Sequence, residues 1–161
     1  MNPMHPIVAR LMPAWRLAVR LFEAAQPAAL LAARLYVALA FFSAGLTKLR
    51  DWDTTLALFM DEYRVPLLPP EVAAVSGTGG EIVLPVLLAL GLAGRFAAIG
   101  LSVMNIVAVV SLAEIAPAAL VQHQLWGVLL AAVVLWGPGR WSLDAWLAAR
   151  LSFLRPIHTL R

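Results

Sequence analysis

The sequence predicts an all-α fold: a membrane four-helix bundle with amphipathic interfacial helices at both termini and in the first extracytoplasmic loop. Composition is the first reason. Of 161 residues, 62% are apolar and 13% charged, whereas soluble domains average about 45–50% and about 25%. Charge placement is the second. The 24 residues between Glu23 and Lys48 carry one charge, Arg34; the 18 between Arg95 and Glu114 and the 25 between Glu114 and Arg140 carry none. Apolar runs of about 20 residues match the thickness of a bilayer core.

The elements follow in order. Residues 6–26 place Arg10, Arg16 and Arg20 among Leu, Val, Trp15 and Phe22, the pattern of a basic amphipathic helix in the headgroup layer. A cleavable signal peptide is the competing reading, with Ser43-Ala44-Gly45 as its cleavage site. The following apolar run is longer than a signal core and contains Arg34, which favours a retained span over residues 28–47. Residues 52–64 form a short surface helix with Leu56, Phe59, Met60 and Tyr63 at helical spacing, and Asp51 or Asp53 is its N-cap. Further spans are expected over residues 71–93, 96–112 and 118–136, separated by Gly94-Arg95 and by the Glu114–Pro117 turn. Pro138-Gly139 ends the last one, and residues 141–154 form a second interfacial helix with Leu143, Leu147, Leu151 and Leu154 on one face. No internal repeat or low-complexity linker divides the chain, so one domain is expected over residues 1–161.

Four spans put both termini on one side. With the termini inside, the cytoplasmic segments hold eight basic residues (Arg10, Arg16, Arg20, Arg95, Arg140, Arg150, Arg155, Arg161) and the opposite side three, Lys48, Arg50 and Arg64. This asymmetry favours cytoplasmic termini in a bacterial inner membrane.

Composition also excludes functions. No cysteine means no disulfide, thiolate zinc site or iron–sulfur cluster within the chain. The basic residues flank apolar runs instead of forming a solvated stripe, which argues against nucleic acid. No phosphate loop, GxGxxG or HExxH occurs. One histidine within the spans is too few for bis-histidine haem ligation. Met104, His123 and Glu81 are too sparse for a metal conduit, so no metal site is expected. His5 and His158 are terminal and read as solvated.

Ionisable groups inside the bilayer are the default functional candidates. Measured by helical rise from the cytoplasmic end of each span, Glu81 lies roughly 18 Å deep, Asn105 roughly 15 Å, His123 roughly 21 Å, Ser43 roughly 22 Å and Arg34 roughly 9 Å. Facing inward, Glu81, Asn105, His123 and Ser43 would form one pocket between four helices. A carboxyl and an imidazole in a dry pocket suit the proton side of quinol chemistry, with Glu81 and His123 as the catalytic pair. Ser43, Asn105, Trp126 and Arg34 are the candidate cofactor-binding residues, with Asn105 or Ser43 bonding a quinone oxygen and Trp126 walling the ring. The plainer alternative is a salt bridge from Glu81 to Arg34 or Lys48 that only joins helices. Likewise Asn105 can act as helix glue, Trp126 as a belt aromatic, and Gly77, Gly79 and Gly80 as close-packing positions or room for a flat ligand.

Several motifs resemble the DoxX family of membrane proteins. They are Arg34 followed by Phe42-Ser43-Ala44-Gly45-Leu46-Thr47-Lys48-Leu49; Glu81-Ile82-Val83-Leu84-Pro85 leading to Gly91-Leu92-Ala93-Gly94-Arg95; Tyr63 to Glu71; and Trp136-Gly137-Pro138-Gly139-Arg140. The resemblance covers about residues 30–147, and the long N-terminal arm has no counterpart in it. It implies a four-span inner-membrane protein, with Arg34, Lys48, Glu81 and Arg95 on the family's recurring polar positions. Some relatives are membrane subunits of quinone-linked oxidoreductases, others accompany oxidative-stress enzymes, and others accompany machinery for modified metal-binding peptides. Two functional readings follow. The chain is a redox accessory subunit holding a quinone near Glu81 for a partner redox or maturation enzyme, or it is a non-catalytic anchor or scaffold for such enzymes. Export of a small solute or a metal ion is a third reading, and at this chain length it would require a homo-oligomer, a dimer, to build an inverted-repeat transporter.

Overall fold

The computed structural model describes residues 6–153, with side chains for 11–151. His5, His158, Leu154, Arg155 and Arg161, and the side chain of Arg10, lie outside them. Every regular element among the described residues is a helix: α1 Pro6–Arg50, α2 Trp52–Asp61, α3 Pro70–Leu90, α4 Gly94–Ser111, α5 Pro117–Trp136 and α6 Leu143–Phe153. Four of these, α1, α3, α4 and α5, are long and apolar enough to cross a membrane. The chain is a multi-pass membrane protein.

The first helix differs from expectation. No break separates an N-terminal helix from the first span: α1 runs unbroken for 45 residues, through Pro13 and Pro27. A proline removes one backbone donor and crowds the preceding turn. Here the flanks of Pro27, Leu-Phe-Glu-Ala-Ala-Gln before and Ala-Ala-Leu-Leu-Ala-Ala after, are dense in strong helix formers that carry the helix across it. At about 1.5 Å per residue α1 is far longer than a bilayer core of about 30 Å.

α3 packs between α1 and α4, and α5 closes the bundle against α4 and α1. The core is Val37, Ala38 and Phe41 from α1, Leu88 from α3, Ala97, Ala98 and Leu101 from α4, and Leu130 and Val133 from α5. Small residues dominate α4's contribution and bring backbones close, as membrane helix pairs require. A second cluster of Phe59, Ala73 and Ala74, flanked by Leu56, Tyr63 and Val65, seats α2 on the start of α3. Asp51 caps α2 by accepting from Thr54 N at 3.0 Å. Thr55 Oγ1 donates to Lys48 O at 2.9 Å, tying α2 back to the end of α1, and Arg64 N donates to Ser111 O at 2.8 Å, tying the segment after α2 to the end of α4. The outer faces of the long helices remain apolar and uncovered, with Leu39, Val83, Ile106, Val128 and Leu135 exposed, as a lipid-facing surface demands.

Candidate functional site

At the end of the bundle marked by Lys48 and α2, a cavity of about 490 Å³ opens between α1, α2, α3, α4 and α5. Its walls are mostly apolar: Phe41 and Ala44 from α1, Phe59 from α2, Gly77 from α3, and Met104 and Val107 from α4. Lys48, Glu81, Tyr63 and His123 supply the titratable groups.

Glu81 faces inward, and its partner is Lys48. The ammonium donates to both carboxylate oxygens at 2.6 Å, with both side chains largely buried. Gly45 makes this possible. A Cβ there would lie 3.0 Å from both Glu81 Cβ and Ile82 Cδ1 and 3.1 Å from the Glu81 carbonyl carbon, so only hydrogen allows α1 to lie this close to α3. Lys48 also lies 5.9 Å from the centroid of the Phe59 ring, a cation–π contact reaching under α2.

His123 and Asn105 form the second polar pair. Asn105 Nδ2 donates to the His123 carbonyl at 2.9 Å, and Asn105 Oδ1 lies 2.7 Å from His123 Nδ1. Both ends of the amide are thus engaged within the protein. Trp126 stands one turn further along α5, edge-on to His123 with centroids 4.9 Å apart and tilted against Phe41 at 5.4 Å. Its indole Nε1–H is buried without a hydrogen-bond partner. Tyr63 packs edge-on against Phe59 at 5.1 Å. Burial, helped by the charges of Glu81 and Glu62, pushes the Tyr63 phenol above its ordinary value, so at neutral pH it remains protonated.

Of the six residues singled out from the sequence, Glu81, His123 and Trp126 line this cavity, and Asn105 supports it from behind. Ser43 does not join them: it is exposed and its hydroxyl donates to Ala40 O of its own helix at 2.9 Å. Arg34 lies at the opposite end of the bundle. It is 1% exposed, its Nη2 donates to Trp141 O, and its Nε and Nη1 have no partner. Beside it Asp144 accepts from Ala93 N and Gly94 N, each at 2.8 Å, and so caps α4 from α6. The three glycines of α3 divide the roles foreseen for them. Gly77 lines the cavity, Gly80 is tightly packed against Met104 and Gly79 faces open space.

The sequence offers Lys48 only as one of two helix-joining partners for Glu81, a choice that the Lys48–Glu81 pair now decides, and it does not point to Lys48, Phe59 or Tyr63 as cavity walls. The signal for Lys48 was present in its position immediately after the apolar run, on a side chain long enough to reach back into it. The Asp144 cap carried no such signal, because its partners are 50 and 51 residues away.

The family model for DoxX matches residues 29–114, just over half of the chain and including Arg34, Lys48, Glu81, Arg95 and Asn105. The chain belongs to the DoxX family. Neither a curated protein nor a solved structure matches it. The family match ends before His123 and Trp126, so the cavity joins a wall inside the DoxX region to one beyond it.

Proposed function

We propose that this DoxX protein is a quinone-binding subunit of the bacterial inner membrane that serves a redox partner enzyme. The observation that carries the reading is the cavity itself. Ligand sites typically enclose about 300–1,000 Å³, with apolar walls and a few convergent polar groups, and this one has about 490 Å³ with an ammonium–carboxylate pair and an imidazole among aromatic rings. The residues fit the group. Trp126, Phe59 and Tyr63 offer ring faces and edges, and Lys48 has a third N–H for a ring oxygen while Glu81 holds the other two. His123 offers the second polar contact. A bound quinone would supply two-electron, two-proton chemistry. The protein's share is to orient the ring, keep bulk water away and hold a proton at Glu81 or His123. With the termini in the cytoplasm, as the eight-to-three split of basic residues favours, the cavity end faces the periplasm.

The anchor or scaffold reading is favoured by one observation, the closure of Lys48 on both oxygens of Glu81, which a purely structural helix pair would also show. Titration of a short-chain ubiquinone into protein-loaded nanodiscs, read by tryptophan quenching, separates the two. The expected result is saturable binding that Glu81→Gln weakens about tenfold, because a charged hydrogen-bond partner of Lys48 is lost. Partitioning identical in both proteins would support the scaffold. A pull-down for partner enzymes would then be the next step.

A further inference from the structure

The two hydrogen bonds of Asn105 fix more than helix packing. Its Nδ2 faces the His123 carbonyl, which can only accept, so the amide orientation is determined and Oδ1 must face Nδ1. An amide oxygen also only accepts. In the neutral ring the proton therefore sits on Nδ1, and Nε2 is left with its lone pair. Nε2 has no protein partner among the described residues, and His123 is one of the residues that line the cavity. On the facing wall stands Glu81, whose carboxylate oxygens take Lys48 and retain further lone pairs. The donors around the cavity, the Lys48 ammonium, the Tyr63 hydroxyl and the Trp126 indole N–H, serve either redox form of a ring, whose oxygens accept in both, whereas the two acceptors, the imidazole Nε2 and the carboxylate, serve only a form that carries hydroxyls.

We infer that the cavity discriminates by redox state and binds the hydroxyl-bearing, reduced ring (a quinol) in preference to the quinone, with Asn105 as the positioning residue that sets this preference through the His123 tautomer. This rests on the quinone-site reading and narrows its ligand. A quinol hydroxyl donates to Nε2 or to Glu81 and can still accept from Lys48. A quinone carbonyl can accept from Lys48 but sets lone pair against lone pair at both other groups, and an unmet buried acceptor is costly. Tighter binding of the reduced form raises the midpoint potential of the bound couple. A tenfold preference corresponds to about 30 mV for two electrons.

The test compares short-chain ubiquinol and ubiquinone, titrated anaerobically into the full-length protein in nanodiscs. Wild type is expected to bind the quinol about tenfold more tightly. Asn105→Leu frees the ring to carry its proton on Nε2, so the preference should shrink or reverse while the protein still binds. His123→Phe should narrow the preference to the part that Glu81 alone supplies. Nitrogen-15 spectra of histidine-labelled protein, with the His123→Phe spectrum subtracted, give a readout that packing alone would not move. In wild type Nδ1 should be protonated and Nε2 bare, and in Asn105→Leu that pattern should be lost. Equal affinity of wild type for the two forms, or a proton on Nε2, would overturn the inference and leave a quinone site standing. Saturable binding of neither form would remove the site and the inference with it.

Discussion

The bundle buries polar groups at both of its ends, and the two ends use them differently. At one, Arg34, Trp141 and Asp144 link α1 and the start of α4 to the segment running into α6, with Arg34 buried and Gly91 pressed against it and Ser142. At the other, Lys48–Glu81 and His123–Asn105 stand around a space of about 490 Å³. The first end is packed until even a hydrogen-to-methyl change has no room. The second keeps a charged pair and an imidazole at the edge of an open space. Burial alone, which the sequence suggests for Arg34 and Glu81 equally, therefore does not distinguish a clamp from a site. What distinguishes them is whether the space beside the charge is filled.

The largest expected effect tests the filled end. Gly91 terminates α3 with φ +66°, and a Cβ there would overlap Arg34 Nη1 and lie 2.5 Å from Ser142 Cβ and 3.1 Å from Ser142 Cα. Gly91→Ala combines a left-handed backbone with overpacking against buried neighbours, for a cost of about 3 kcal/mol. Its unfolding midpoint in detergent should fall sharply, while the fraction that remains folded should bind ligand as wild type does. A Gly91→Ala protein of unchanged stability would mean that this end is looser than its geometry indicates.

How far these two ends could be read from sequence depends on distance along the chain. The four spans were legible because an apolar run of bilayer length is a local signal, and so was the Asp51 cap, which sits three residues from its partner. Glu81, His123 and Asn105 were legible as a group because helical rise converts position into depth. Azimuth was not legible. Depth placed Ser43 with the others, but on a helix whose opposite faces meet lipid and core, rotation decides, and Ser43 points outward. Arg34 looked like a candidate partner for Glu81 until the chain's own turns carried Trp141 and Asp144 to it across more than 100 residues. The unbroken α1 was hidden for a related reason: amphipathic and fully apolar stretches differ in environment, and nothing in that difference requires the backbone to stop between them.

A smaller effect sharpens the open end. Gly77 lines the cavity, and a Cβ there would make only ordinary contact, 3.5 Å from Phe59 Cζ. Gly77→Ala should therefore leave stability unchanged or raise it by about 0.5–1 kcal/mol, the helix preference of alanine over glycine. The added methyl occupies space at the wall under α2, so quinone-analogue affinity should fall about threefold, by overpacking of the bound state. Gly91→Ala and Gly77→Ala are then opposites, one lowering stability with binding intact and the other lowering binding with stability intact. If Gly77→Ala destabilised the fold as Gly91→Ala does, the contrast between a filled and an open end would collapse.

The smallest effect concerns the helix that covers the cavity. Asp51 accepts from Thr54 N at 3.0 Å and from Thr54 Oγ1 at 2.7 Å, and these two bonds hold its carboxyl below the usual carboxylate range. A group whose folded-state value is lowered stabilises the fold above its unfolded value and loses that contribution as pH falls through the folded one. The cap should therefore be intact at neutral pH and fade only in acid, below the ordinary range of an aspartate. Because Asp51 is fully exposed, global stability should barely register the change. The start of α2 should register it: amide exchange at Thr54 and Thr55 should quicken in acid relative to the intrinsic rate, and Asp51→Ala should show the quickened exchange already at pH 7. Phe59 and Tyr63 sit beyond that first turn and are held by their own contacts with α3, so the cavity wall should stay in place while the helix frays at its start. Fraying that spread to Phe59 would instead make Asp51 part of the cavity's support and extend the open end to the whole of α2.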